Sequence, residues 1–508
     1  MTFRYSLLLI ALLATGTALA IPPFAPLTSP AVVGTEVWKL PPGWQAEWIT
    51  DRNTLSVQPG FQATFGKWDM LDIGGANYEL IYLPFETPVG AGAGRYNRDT
   101  GAFTALMGGD GSGVFATDPV GWVATNDDFG TIDPAVLTPV GTLLVAEEGK
   151  GAGRMFEILN PATATGTADA VVQWLSNIPS VAHEGIKFDS QGRMYFIDED
   201  KSGSVYRFTP STPGDLTAGG VDVLVVDDFT GNPALDWDDG VNDGSTRTGA
   251  ATWVEIVDSA GMATTTADPF DFTSRGGRAA ADEVNGTPYG RPEDMVIVTT
   301  NGEQIIYFAT TSERVVYGVN LATETVFEAV NAATTPDNIG NDPVGPGSSD
   351  SDYGLDDPDN LEIAYSPEGY LQLFIVEDEN PGDIWMATDN DADGVAEFID
   401  LFFSLGVDDS EPSGLRADPR GGFLICIQHP FDQNDSLWRV YPTAFPHGDI
   451  NGDGIFDIRD LLLLQRALTG QATLTTEQSG RADVQPGGGN GVVETGDLLV
   501  LEKLLLLP

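Results

Sequence analysis

Five stretches of this 508-residue chain share one pattern: TPVGTLLVAEE at 138–148, SQGRMYFIDED at 190–200, NGEQIIYFATT at 301–311, PEGYLQLFIVEDE at 367–379 and PRGGFLICIQHP at 419–430. Each is a glycine-bearing turn followed by an apolar run that ends in polar or acidic residues. Apolar runs of this kind between turn signals read as strands. The glycines Gly141, Gly192, Gly302, Gly369 and Gly421 are spaced by 51, 110, 67 and 52 residues, and the 110 reads as two units of 55. A β unit recurring about every 50–65 residues, longer than the roughly 40–50 of common blade repeats, predicts propeller blades with long insertions. Residues 30–445 leave room for six or seven such blades. Radial repetition also removes exposed sheet edges. An array of β-sandwiches is the competing fold, but the repeats are too short for whole sandwich domains. The fold class expected is all-β: a six-bladed, or seven-bladed, propeller followed by a small helical domain.

Acidic or amide residues recur upstream of four of these turns. Glu184 lies eight residues before Gly192, Glu293 nine before Gly302, Asp359 and Asn360 ten and nine before Gly369, and Glu411 ten before Gly421. Equivalent positions in successive blades face a common axis, so these carboxylates are expected to converge at one mouth of the central channel. Like charges gathered in low dielectric repel strongly and call for cations. The plainer alternative is that each acid satisfies the amides of its own turn.

Composition narrows the function. The chain has 75 Asp+Glu against 24 Lys+Arg, a formal charge of −51, with 42% hydrophobic residues. That hydrophobic fraction rules out a disordered acidic tail. The charge argues against nucleic acid and against anionic membrane surfaces as partners. With one cysteine, Cys426, no intrachain disulfide forms, and a total of three histidines argues against a multi-His zinc site. No G-x-S-x-G motif supports a serine hydrolase. Residues 1–20 read as a bacterial-type signal peptide: one Arg, an apolar run over Leu7–Ala14, and cleavage after Ala20. No later stretch is long and apolar enough to span a membrane. A secreted, periplasmic or cell-surface protein is expected, and calcium is the obvious extracellular stabiliser.

Taken in order, the segments resemble the secreted PhoX-type alkaline phosphatases. The matching pieces are His183-Glu184-Gly185 with FDSQGRMYFIDED, Arg291-Pro292-Glu293-Asp294, Asp359-Asn360-Leu361 with LFIVEDE, and Glu411-Pro412-Ser413-Gly414 with FLICIQHP. Upstream, Thr138-Pro139-Val140-Gly141-Thr142 with Glu147-Glu148, and WVATNDD at 122–128, are similar to two further family blocks. The resemblance covers roughly 120–441. It implies a six-bladed propeller with a calcium- and iron-containing cluster that hydrolyses phosphoesters. It implies Glu147, Glu184, Glu293, Asp359 and Glu411 as metal ligands, Arg291 as the clamp on phosphate oxygens, and Asn126 as an added donor. Departures matter as well. The family's cysteine before the paired glutamates is Ala146, none stands in 133–137, the asparagine of the last motif is Cys426, and the family's N-H-E histidine is Asp127. Its iron bridge relies on a thiolate, so iron is not expected and an all-carboxylate calcium cluster is.

Two loops carry calcium-ligand spacing outside the channel. Asp389, Asp391, Asp393, the Val395 carbonyl, Glu397 and Asp400 fall at positions 1, 3, 5, 7, 9 and 12 of an EF-hand-like loop with Gly394 at 6. Its expected role is to staple a blade loop. Asp449, Asn451, Asp453, the Ile455 carbonyl, Asp457 and Asp460 form a second loop, which runs into the apolar helix LLLLQRALTG. A degenerate copy with Asp483, Asn490 and Asp497 precedes LLVLEKLLLL. Two calcium-loop–helix units in 448–508 resemble a type I dockerin, which implies a cohesin-type partner.

The domain division is therefore 1–20, 30–445 and 448–508. The leading functional reading is a secreted calcium-dependent phosphatase acting on a small phosphoester. A non-catalytic, calcium-stabilised propeller serving as a binding module is the alternative. A polysaccharide-acting enzyme is the third, suggested only by the company dockerins keep.

Overall fold

The computed structural model describes residues 21–505, excluding 22–23, 150–152, 332–333, 335, 337–338, 340–353, 367–368, 443–447, 449, 452–455, 483–492 and 494. The proposed signal peptide and Asp449, Asp453, Ile455, Asp483 and Asn490 therefore lie outside the described residues.

The body is a propeller-like arrangement of antiparallel sheets. Six units of at least four strands follow one another among the described residues, each built outward from an innermost strand, and the two-residue strand Trp38–Lys39 adds to the outer edge of the fifth. The innermost strands are Asp72–Gly74, Ile132–Leu137, His183–Phe188, Pro292–Thr300, Pro358–Tyr365 and Glu411–Ala417. The second strands are Leu80–Phe85, Leu143–Glu147, Met194–Asp198, Glu303–Thr310, Leu371–Glu377 and Phe423–Gln428. Five of these second strands are the repeated segments of the sequence. The glycine of each turn sits at positive φ, 84° at Gly141, 78° at Gly192 and 84° at Gly302, where a side chain would be strained. At Asn301-Gly302 both residues are left-handed, which fits a two-residue hairpin.

The 110-residue gap is one unit, not two. After Asp215–Val226 the chain adds a fifth strand, Gly249–Val257, and a helix, Gly276–Glu283, before the next innermost strand begins. That extra strand also pairs with Thr325–Val330, joining two units into one nine-stranded sheet. The sixth unit stands instead at the front of the chain, over 72–108. Its turn and strand were not among the sequence repeats. The last unit borrows Trp44–Asp51, which pairs antiparallel with Ser436–Pro442, so the two ends of the propeller close on each other.

The core shows why the strands read as unbroken apolar runs. Both faces of a blade strand are buried against a neighbouring unit. Along Leu143–Glu147, Leu143 and Val145 pack with Leu80 and Tyr82 of the unit before. Leu144 and Ala146 pack with Ile186 and Phe196 of the unit after. The same alternation puts Phe423 and Ile425 against Phe374, and Leu424 and Cys426 against Ile81 and Leu83 of the first unit. Burying each such side chain contributes roughly 1.5–3 kcal/mol.

The C-terminal segment is helical, with Ile458–Leu468, Thr476–Ala482 and Thr495–Leu505. It has its own apolar cluster of Ile450, Leu461, Leu464, Ala482 and Leu501. Asp457 caps the first helix: its side chain accepts from Arg459, and Asp460 reaches back to the Asp457 amide, closing a capping box.

Candidate metal centre

The innermost strands start at one mouth of the channel, and their first residues carry the acids. Asp133, Glu184, Glu293 and Asp359 are each the second residue of their strand, and Glu411 is the first. Pairing slips just beyond each of them: between Ile132 and Ala135, Glu184 and Ile186, Pro292 and Met295, Pro358 and Leu361, and Ser413 and Arg416. A bulge of this kind re-aims side chains at a barrel or channel rim. Gly185, next to Glu184, is required by close approach, because a Cβ there would stand 2.8 Å from the Glu293 carbonyl.

A second layer comes from where the second strands end. Glu86, Glu148, Glu199, Thr311, Asp378 and His429 follow directly on those strands. Together with Asp69, which precedes the first innermost strand, ten carboxylates gather at this mouth. Oxygens of Glu184, Glu199 and Glu293 lie within 4.8 Å of one another. Asp133 pairs with Glu184, Glu148 with Glu199, and Asp378 with Glu411. Against them stand few cations. The Arg291 guanidinium is 2.8 Å from Glu199, 3.1 Å from Glu293 and 3.4 Å from Asp378. His429 Nε2 is 3.0 Å from Glu411, and Lys67 is 3.5 Å from Glu86. Neutral donors complete the set: Thr311 donates to Glu293 at 2.6 Å, Ser413 donates to Asp69, and Gln428 donates to Asp69 and Glu86 at 3.0 and 2.8 Å.

Burial dominates the electrostatics. It pushes Asp69 up to about 6, Glu411 to about 7 and Glu86 to about 8. Asp133, Glu184, Glu199, Glu293 and Asp359 are driven well above the carboxylate range by burial and by one another. Hydrogen bonding to Glu411 lifts His429 to about 9. Arg291 is pushed further up, its largest cause the charge of Glu293. Its backbone is left-handed at φ 51°, a conformation of the kind that concentrates at functional sites. Beside Arg291 opens a pocket of about 390 Å³ lined by Glu148, Glu199, Asp200, Lys201, Asp236 and Arg291.

Of the residues singled out by sequence, Glu184, Glu293, Asp359, Glu411 and Arg291 are brought together here. Glu147 is not. Strand alternation turns it away from the channel, and both its oxygens bind Arg154 at 2.7 Å. Asn126 is also elsewhere: it is exposed at the end of a single 3-10 turn, Ala124–Asn126, away from the pocket lining. Its neighbour Asp127 is 2.5 Å from the same Arg154. Asp69, Glu86, Asp133, Glu148, Glu199 and Asp378 are the cluster acids that sequence reading missed. Asp133 carried a usable signal, since it lies eight residues before Gly141 just as Glu184 lies eight before Gly192.

In the 389–400 loop, Asp389, Asp391, Asp393 and Glu397 offer oxygens within 4.8 Å of one another. Val395 donates its amide to Asp393 at 2.8 Å. Asp400 is not in that group; it sits in the strand Phe398–Leu405, opposite Met386. The loop reaches the preceding unit: Tyr307 donates to the Gly394 carbonyl at 3.2 Å and Asn301 to that of Ala392 at 2.8 Å. At the C-terminus Asp460 and Asp497 are fully buried, and Asp460 accepts from the Asn451 and Asp457 amides, both at 2.9 Å.

Comparison with protein families matches residues 124–430 to Alkaline phosphatase PhoX, more than half of the chain. Residues 447–506 match the Dockerin type I domain. Comparison with curated proteins gives no match. Among solved structures the chain is similar to Pseudomonas fluorescens PhoX in complex with vanadate, a transition state analogue, at 15% identity and a TM-score of 0.55, over 84% of this chain and 98% of that one. It is also similar to the PQQ-bound aldose sugar dehydrogenase of Streptomyces coelicolor, at 13% identity and a TM-score of 0.36, over 79% of this chain and 100% of that one. No helix among the described residues is long and apolar enough to cross a membrane.

Proposed function

Because the chain belongs to the alkaline phosphatase PhoX family, we propose that it is a phosphatase that hydrolyses small phosphoesters at the acidic mouth of its channel, with calcium held by the carboxylates there. One observation carries this reading: acids from six successive units meet around a single arginine, far in excess of the cations the chain supplies.

The residues present fit such ions. Asp133 is buried with one carboxylate oxygen that has no hydrogen-bond partner, and neighbouring carboxylates crowd it. Oxygen-only donor sets suit hard cations such as calcium. The thiolate associated with iron is lacking, because Cys426 is buried among Leu424, Leu437 and Ile81 in the apolar core. The ligands would be Glu184, Glu199, Glu293, Asp133 and Asp359, with Glu148 in the place first assigned to Glu147. Such cations, when bound, would offset charge on the phosphoryl group and lower the pKa of a nearby water.

The chain's own residues do the rest. Arg291 presents a planar fork suited to two phosphoryl oxygens. Its contacts with Glu199, Glu293 and Asp378 hold that fork at the pocket wall. Thr311 fixes the Glu293 carboxylate. His429 and Lys67 offset charge at the far side of the cluster, next to Glu411 and Glu86.

We assign the 389–400 loop as a calcium staple between two units, and 447–506 as a calcium-dependent module that binds a cohesin-type partner. A signal peptide cleaved after Ala20 would place the protein outside the cytoplasm, as both modules suggest.

The test is hydrolysis of a phosphomonoester by purified protein, stripped by chelator and then supplied with Ca²⁺, alongside metal analysis. Activity should return with Ca²⁺. Glu293→Gln and Arg291→Ala should each cost roughly 10²–10³-fold in kcat, as removal of a transition-state-stabilising group does. Absence of hydrolysis with any metal, or unchanged rates in both variants, refutes the reading.

A further inference from the structure

We propose that Lys201 selects substrates whose leaving group carries its own negative charge, such as a second phosphate or a carboxylate. The proposal rests on the phosphatase reading for the place of the phosphoryl group, beside Arg291.

Cations are scarce in this chain, and most of the described ones are committed. Lys67 is paired with Glu86, Lys187 with Asp294, and Lys39 is bound to Ser29. Among the lysines whose side chains are described, Lys201 alone has an ammonium group with no hydrogen bond or ion pair. It is exposed, and it lines the same pocket as Arg291. A volume of about 390 Å³ exceeds what a bare phosphoryl group fills and lies in the range of roughly 300–1,000 Å³ that holds whole small ligands.

The surroundings free the ammonium rather than capture it. Asp200, the adjacent acid of the lining, is held by Arg275 at 2.9 Å and Arg278 at 2.7 Å. Glu199 is held by Arg291 at 2.8 Å. Meanwhile the Lys201 backbone is anchored, because its carbonyl accepts the Trp237 amide at 2.7 Å. Trp237 is fixed in turn by the Arg247 guanidinium, which lies 5.6 Å over its ring and donates to its carbonyl at 2.6 Å. The root of the lysine is thus rigid and its tip available. Of the remaining lining acids, Glu148 is bonded to Glu199, and Asp236 has no ion-pair partner among the described residues, so Asp236 is the acid that competes for Lys201 when no anion is bound.

The experiment uses full-length, calcium-loaded protein with inorganic pyrophosphate and phenyl phosphate as substrates. In Lys201→Met the ratio of kcat/KM for pyrophosphate over phenyl phosphate should fall roughly fivefold at low salt, the worth of one exposed charge pair, and the fall should shrink as salt is added. Lys201→Arg should restore the ratio, and Asp236→Asn should raise it. An unchanged ratio in Lys201→Met overturns the proposal, as does a fall of the same sign in Asp236→Asn, which would mark a structural pair. If wild type hydrolyses neither compound, the phosphatase reading fails. Calorimetric binding of pyrophosphate then decides Lys201: weaker binding in Lys201→Met supports it, and equal or absent binding in wild type and variant refutes it.

Discussion

Glu147 and Glu148 are neighbours at the end of one strand, and both are largely withdrawn from water, yet they meet opposite surroundings. Glu147 faces the preceding unit, where Arg154 binds both its oxygens and also reaches Asp127. The Gly130 amide adds a further donor at 3.2 Å. Glu148 faces the channel, where its partner is another carboxylate, Glu199, and the surrounding charges include Glu86 and Glu293. Burial by itself therefore does not call for a metal. What separates the two regions is whether the fold supplies a buried cation of its own. The inter-unit pocket has one, and the channel mouth has too few.

The largest effect expected from breaking this contrast is on the self-sufficient side. Arg154→Met leaves Glu147 and Asp127 buried without compensation, a change that costs about 3–5 kcal/mol when one partner of a buried pair is removed. Denaturant unfolding should show this loss with and without Ca²⁺. Recovery of stability by Ca²⁺ would mean that the two regions are interchangeable. On the channel side, Glu148→Gln removes one of several repelling acids. The chelated protein should melt at a higher temperature than wild type, while calcium affinity falls by at least the roughly 10- to 100-fold that loss of a group merely supporting a ligand costs. A lower melting temperature in chelator would show that Glu148 is satisfied without metal.

The same contrast predicts a pH dependence. An acid whose pKa is raised on folding binds its proton more tightly in the folded chain, so the metal-free fold is favoured at low pH. Stability is then lost as pH rises from the ordinary carboxylate range through about 6 for Asp69, 7 for Glu411 and 8 for Glu86. His429, lifted to about 9, adds to the loss over the interval above its usual 6.5. Melting temperature in chelator should fall across this range, and added Ca²⁺ should flatten the curve. A metal-free protein whose stability is flat or rises with pH would contradict the clustering of these groups.

How much of this was legible beforehand follows from the same geometry. The repeat of glycine turn and apolar strand exposed five units, because both faces of a blade strand are buried and the apolar run is continuous. The first unit has the same turn and apolar second strand, Gly75 at φ 92° and Leu80–Phe85, but no acid stands eight to ten residues before its glycine, so the offset that marked the other units is absent. The 110-residue gap misled because an inserted strand and helix occupy the space of a missing blade. Glu184, Glu293, Asp359 and Glu411 were readable from their offset to the turn. Choosing Glu147 over Glu148 failed because side chains alternate along a strand, and a pair of identical residues gives no sign of which one points inward. Asn126 rested on a family motif whose histidine is here Asp127, and the segment serves Arg154 instead.

The smallest expected effect belongs to the 389–400 loop, which sharpens the comparison from a third direction. Its acids are close in sequence and mostly exposed, and the loop's own amides already answer them: Ala392 and Gly394 donate to Asp389 at 2.6 and 2.9 Å, Asp393 to Asp391 at 3.2 Å, and Asn390 to Glu397 at 2.8 Å. Asn in place of Asp391 keeps an acceptor for the Asp393 amide. In chelator, Asp391→Asn should therefore change unfolding free energy by no more than about 0.5 kcal/mol, the usual size at a surface position. With Ca²⁺ at a hundredfold excess over its dissociation constant, a bound ion adds about 2.7 kcal/mol to the folded state, and the variant should lose much of that part. A loss of equal size with and without Ca²⁺ would mean that the loop is held by its amides alone and staples nothing through a metal.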